Sequence, residues 1–193
     1  ETTLIRPIPI DIDFSLFVEH FRSFQFKKGA LKSGNQLLDV SGVIHKLTDG
    51  THLDLDLASR QIVIHDFLEL LPDNWKKWVE GYNAKGFLEI EAKINGMLSD
   101  KSSPLIESSF HLSKGEFVDS QTGLKLSETM LKGFFTNGIN QSTTTSQLSL
   151  QHFSTKLNNG RMEGNLILEN LLSPELTLSI RMDNDPQDII KLF

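Results

Sequence analysis

Cysteine is absent from the 193 residues, which excludes disulfides, thiolate zinc sites and cysteine nucleophiles. Long apolar runs are absent too, and none approaches the roughly 20 residues that a helix needs to cross a bilayer. Positive charge is scarce: 19 Lys+Arg stand against 25 Asp+Glu, for a net charge of −6. The short basic clusters, Lys27-Lys28 and Lys76-Lys77, do not make the basic patch that a general nucleic-acid binder carries. Catalytic signatures are missing as well. There is no H-E-x-x-H, no G-x-S-x-G elbow, no Walker loop and no G-x-G-x-x-G. The histidines, at 20, 45, 52, 65, 111 and 152, form no pair with metal-ligand spacing. The chain reads as a non-enzyme with neither cofactor nor metal.

What is present is alternation. In "GFLEIEAKINGMLSDKSSPLIESSFHL", residues 86–112, Leu88, Ile90, Ala92 and Ile94 alternate with Glu89, Glu91, Lys93 and Asn95. Across a polar loop, Ile106, Phe110 and Leu112 alternate with Glu107, Ser109 and His111, and Ser108 falls in the apolar register. Side chains of a strand point to opposite faces with a period of two, so this hairpin has one apolar and one wet face. The same grammar recurs in "GNLILENLLSPELTLSIRM", where Leu166 and Leu168 take the places of Leu88 and Ile90, and Leu176, Leu178 and Ile180 those of the second strand. "GVIHKLTDGTHLDLDL" and "GFFTNGINQSTTTSQLSL" are looser copies. A hydrophobic content of 38% suits half-apolar sheets better than a thick two-sided core.

Further strands are predicted around Ile8–Phe14, Phe24–Phe26, Val40–Ile44 and Leu53–Leu57, the last two joined by a turn at Asp49-Gly50, with Ile62 and Ile64 continuing the pattern. Strands follow over 86–97, 104–113, 115–119, 124–126, 129–137, 145–157, 161–170 and 174–182. The apolar register slips between Leu150 and Phe153, as a bulge requires. Between about 65 and 82 the period becomes helical. Phe67, Leu68, Leu70 and Leu71 run up to Pro72, then Trp75, Trp78, Val79 and Tyr82 follow, with Asp73 or Asn74 as N-cap. Two short helices broken at the proline are expected, either pinning this insert to the sheet or touching a lipid surface. Asp185 before Pro186 is placed to cap a closing helix. The aspartate pairs 11/13 and 54/56 each share a strand face, which is the spacing of an acid/base pair and equally of any solvated strand. Repeats of one grammar predict a mainly β fold over 1–193: one module, an extended and curved antiparallel sheet of repeated hairpins, a trough or open barrel, with two or three short helices.

The stretch "DFLELLPDNWKKWVEGYNAKGFLEIEAKINGMLSDKSSPLIESSFHLSKGEF", the later "LSETMLKGFFTNG" and "LSLQHFSTKLNNGRMEGNLILENLLSPELTLSI", and the closing "DPQDIIKLF" resemble the AsmA-like family of bacterial envelope proteins, in the region towards the C-terminus of Bacteroidetes-type members. What matches is the order of a proline turn with a short helix, an alternating strand ending in glycine, and a proline opening the next strand. The family is related to the TamB-type bridge-like lipid-transfer proteins. The resemblance implies a periplasmic segment of a longer protein anchored in the inner membrane, with a role in lipid transport and outer-membrane biogenesis. A start at Glu1 without methionine is expected of such a fragment or processed form.

Two short helices cannot hide the apolar face of eight or more strands, and an uncovered apolar face of a few hundred Å² is normally a binding surface. The expectation is a concave apolar face that binds or guides phospholipid acyl chains. Its lining is Leu88, Ile90, Ile94, Ile106, Phe110, Leu112, Leu166, Leu168, Leu176, Leu178 and Ile180. The alternative is a closed sandwich or barrel without a lipid ligand, meeting other envelope proteins. A third reading, hydrolysis by Asp54 or Asp56, requires both carboxylates in one cleft.

Overall fold

The computed structural model describes residues 10–33, 36–69, 76, 80–158 and 160–183. Ten strands follow one another: β1 (Ile10–Glu19), β2 (Ser23–Ser33), β3 (Gln36–Leu47), β4 (Gly50–Val63), β5 (Tyr82–Leu98), β6 (Leu105–Asp119), β7 (Lys125–Thr136), β8 (Gln147–Leu157), β9 (Gly160–Glu169) and β10 (Glu175–Asp183). They form a single antiparallel sheet in which spatial order equals chain order. A helix, α1 (Ile64–Glu69), leaves the end of β4. The meander follows from short connections: Leu47 pairs with Gly50 across Thr48-Asp49, and a loop that short permits only antiparallel return. Among the described residues β1 pairs only with β2, and β10 only with β9. The sheet is open, so the closed sandwich or barrel of the alternative reading is not the architecture.

Several strands are longer than their alternation predicts. The stretches 104–113 and 115–119 are one strand, β6, and 124–126 with 129–137 are one strand, β7. At the two apparent breaks the ladder shifts register, between Leu112 and Gly115 and between Ser127 and Met130. Lys114 (φ 53°) and Glu128 (φ 51°) stand there in the left-handed region. A bulge inserts one unpaired residue, bends its strand and increases local twist while pairing continues on both sides. The slip expected between Leu150 and Phe153 is present as a further shift. Others lie at Ser15/Leu16, Phe26/Gly29, Ser59/Ile62 and Lys85/Phe87. Bulges in most neighbouring pairs curve the sheet across its strands.

The helical insert differs from expectation at both ends. Ile64 is the first residue of α1 rather than a strand residue, and Tyr82 opens β5 opposite Asp119. The Glu80 amide donates to the Lys76 carbonyl at 2.8 Å, the closing of one helical turn. Leu70, Leu71, Pro72, Trp75, Trp78 and Val79 lie outside the described residues, as does the helix expected after Asp185. The core sits under α1. Ile64, Ala84, Leu88 and Leu112 are buried together, with Phe67, Leu68, Ile90, Phe110, Phe117 and Leu131 packed against them.

Candidate functional site, the apolar face of the sheet

Residues directly opposite in an antiparallel ladder share a face, so the register assigns every strand. Leu57, Ala92, Ser108, Phe135, Leu148, Leu168 and Leu176 form one transverse row. Beside it runs Ile90, Phe110, Gly133, Leu150, Leu166 and Leu178, and on the other side Phe26, Gly42, Leu55, Ile94 and Ile106. All eleven residues expected to line the apolar strip fall on this one face. It extends further than the two repeated hairpins suggested, taking in Phe24, Ile44 and Leu53 in another row. Alternation in "VIHKLTDGTHLDLDL" carried that signal, but only strand order shows it to be the same surface.

Two of the eleven are not free. Leu88 and Leu112 are 4% and 1% exposed, sealed within the core that contains Ile64 of α1, and Ile90 and Phe110 pack against it. The remaining strip is half-buried along β5, β6 and β9 and open at β10, where Leu176, Leu178 and Ile180 are 57%, 44% and 36% exposed. Among the described residues α1 covers this face over β4 and β5 only. On β7 and β8, Thr129 and Thr155 are buried with their hydroxyls 2.7 Å apart, and Thr155 Oγ1 also donates to the Ser127 carbonyl at 3.2 Å. Each buried hydroxyl is thereby satisfied.

Two glycines on this face serve as sockets for aromatic rings. Phe110 is paired with Gly133 and Phe153 with Gly164, while Gly42, opposite Phe26, is held by close approach to the backbone of Asp54 and Leu55. A methyl carbon on Gly133 would stand 2.5 Å from Phe110 Cε2, and one on Gly164 3.1 Å from Phe153 Cζ. Gly inside a strand normally weakens it, and an aromatic neighbour lying over the bare backbone restores the lost packing.

The hollow of the sheet lies on the other face. An open groove of about 1000 Å³ runs from β1 to β7, walled by Asp13, Asp39, Asp56, Glu91, Lys93, Glu107 and Ser109. Val40, Leu57 and Ala92 also border it; their side chains point to the apolar side by register, so it is their backbone that forms the floor. The expectation that the apolar face is the concave one is wrong over these strands. Alternation decides how side chains alternate along one strand, whereas the side on which the groove forms is a property of the joined strands.

The polar face is laced by cross-strand pairs. Lys93 Nζ lies 3.9 Å from Asp56, His111 Nδ1 3.8 Å from Glu89, and Asn95 Nδ2 donates to Asp54 at 3.2 Å. Glu116 sits between Lys85 at 3.5 Å and Lys125 at 2.8 Å, tying β5, β6 and β7, and the Lys125 ammonium leads in holding its carboxyl below the ordinary value. Asp119 accepts from Thr122 Oγ1 at 2.6 Å and from the Gln121 amide at 2.9 Å, which lowers its pKa and closes the β6–β7 turn. Exposed pairs of this kind each contribute little to stability. Asp56 borders the groove and Asp54 does not, so the two carboxylates do not share a cleft. The described residues contain no cluster of three metal-ligating side chains and no helix long and apolar enough to span a membrane. The chain matches no protein-family model, no curated protein and no solved structure.

Proposed function

We propose that this chain is a non-catalytic module of an AsmA-like envelope protein, in which the apolar face of the sheet binds or guides phospholipid acyl chains. The observation that carries the reading is the cover itself: of an apolar face crossing ten strands, α1 covers only the part over β4 and β5, and the leucines of β10 stay open. Burying a few hundred Å² of acyl chain, at about 25 cal/mol per Å², is worth several kcal/mol, enough to hold a lipid while letting it slide. Because the hollow is polar, the chains lie along the sheet rather than inside a trough, and the acidic groove stays in water. The periplasmic setting, the inner-membrane anchor of the whole protein and the role in outer-membrane biogenesis come from the family resemblance and belong to the same proposal.

The test is organic extraction of purified protein followed by mass spectrometry. Stoichiometric phospholipid is expected, and its loss is expected in the double variant Leu55→Glu, Ile94→Glu, which puts two charges on the strip. Protein free of lipid that also fails to bind an apolar dye sinks the reading. The open apolar end at β10 then favours the second one, an interaction module whose face is covered by another envelope protein.

A further inference from the structure

The two edges of the sheet are built differently. β1 has a bulge at Ser15/Leu16, exposed Asp13 and Glu19, and no lysine or arginine between residues 10 and 19. Bulges and unbalanced charge are the devices by which an edge strand is kept from pairing with another chain. β10 has no bulge, and its charges, Glu175, Arg181 and Asp183, stand towards its two ends. Its ladder with β9 runs without a shift over all nine residues, no proline interrupts it, and its outer edge carries no partner among the described residues.

The sequence of that edge is also complementary to itself. In an antiparallel pairing of β10 with a second copy that places Leu178 opposite Leu178, Leu176 meets Ile180 and Thr177 meets Ser179. Glu175 then meets Arg181, and the twofold axis makes each of these contacts twice. Leu176, Leu178 and Ile180 remain on one surface, so the apolar face continues across the junction. Moving the register by one pair in the direction that centres it on Ser179 sets Glu175 against Asp183, and moving it the other way leaves Glu175 and Arg181 facing serines. Within the chain, Glu175 stands opposite Glu169, a like-charge juxtaposition that an incoming arginine relieves. Arg181 stands opposite Glu163, yet among the described residues neither it nor Glu175 comes within ion-pair distance of an opposite charge.

We infer that β10 is a dimerisation edge: two copies of this chain join through Glu175–Arg181 into one continuous sheet. This goes beyond the lipid reading and does not rest on it.

Sedimentation equilibrium of the whole chain over a concentration series is expected to show the mass rising from 21.8 kDa towards twice that value. Arg181→Glu and Glu175→Arg, each turning two attractions into repulsions, should weaken association about tenfold. An equimolar mixture of the two variants should recover it, because every mixed pair again sets Arg against Glu. The chain has no cysteine, so Leu178→Cys introduces a single thiol. Mild oxidation should cross-link it, while Leu176→Cys and Ile180→Cys should not cross-link. Identical residues at those positions are four places apart, about 13 Å along the strand, beyond the roughly 7 Å a disulfide spans. A monomer at every concentration, association indifferent to the charge reversals, or equal cross-linking at 176, 178 and 180 overturns the inference.

Discussion

Phe110 and Gly133 stand directly opposite each other on β6 and β7, and the phenyl ring occupies the space that any side chain at 133 would need. Gly133→Ala is expected to destabilise the protein by about 1–3 kcal/mol, the usual cost of forcing extra volume into a packed site. Chemical denaturation measures it. In the Phe110→Ala background the same change should cost less, since the colliding ring is gone and only the close approach to the Ser149 carbonyl at 2.8 Å is left, and the two substitutions will be non-additive. Equal costs in both backgrounds would show that the ring is not what forbids a side chain there.

Ile64 joins α1 to the buried pair Leu88 and Leu112. Ile64→Ala should cost about 2–4 kcal/mol through lost burial and the cavity left behind. Because α1 covers the apolar face over β4 and β5, loosening it should also increase binding of an apolar dye before global unfolding. A destabilised variant with unchanged dye binding would mean that α1 does not act as a cover.

The Thr129–Thr155 contact is a buried hydroxyl pair rather than an apolar one. Thr155→Val preserves shape but strands the Thr129 hydroxyl away from water, at about 1–3 kcal/mol. Replacing both by valine should recover part of that loss, because no buried donor then lacks an acceptor. Unfolding midpoints of the two single variants and the double variant decide it.

Acid should loosen the β5–β6–β7 region first. Glu116 and Asp119 have folded-state pKa values below the ordinary 4.5 and 3.8. A lowered carboxyl pKa contributes stability that is fully present above the unfolded value and is lost as pH falls through the folded one. Urea midpoints should therefore fall on acidification through this window, and the fall should be shallower in Glu116→Gln and Asp119→Asn, which begin lower at neutral pH. A parallel fall in the variants would place the acid sensitivity elsewhere.

Much of this fold was legible before any coordinates. Alternation identifies strands because a half-buried sheet needs apolar residues every second position, and Asp49-Gly50 marks a tight return because few residue pairs accept that backbone. The interruptions at Lys114 and Glu128 have the pattern of strand ends, yet β6 and β7 pair on through both. A bulge residue interrupts the pattern locally, yet the ladder on either side is held by hydrogen bonds to neighbouring strands that sequence does not display. Ile64 was read as one more strand residue because its apolar character suits either element, and packing against Leu88 and Leu112 decided for helix.

The amino-acid order alone determined the one-sided strands and the bulge before Phe153, since each depends only on spacing within a strand, whereas register between strands put Leu88 to Ile180 on one face. Tertiary structure alone decided three other matters. Register between strands matched Phe26, Phe110 and Phe153 to their glycines. Contact with α1 removed Leu88 and Leu112 from the open surface. The joining of the strands put the groove on the side of Asp56, Glu91 and Lys93 rather than of the leucines. Periodicity says which way a side chain points from its own backbone, and curvature is a property of how ten backbones are joined.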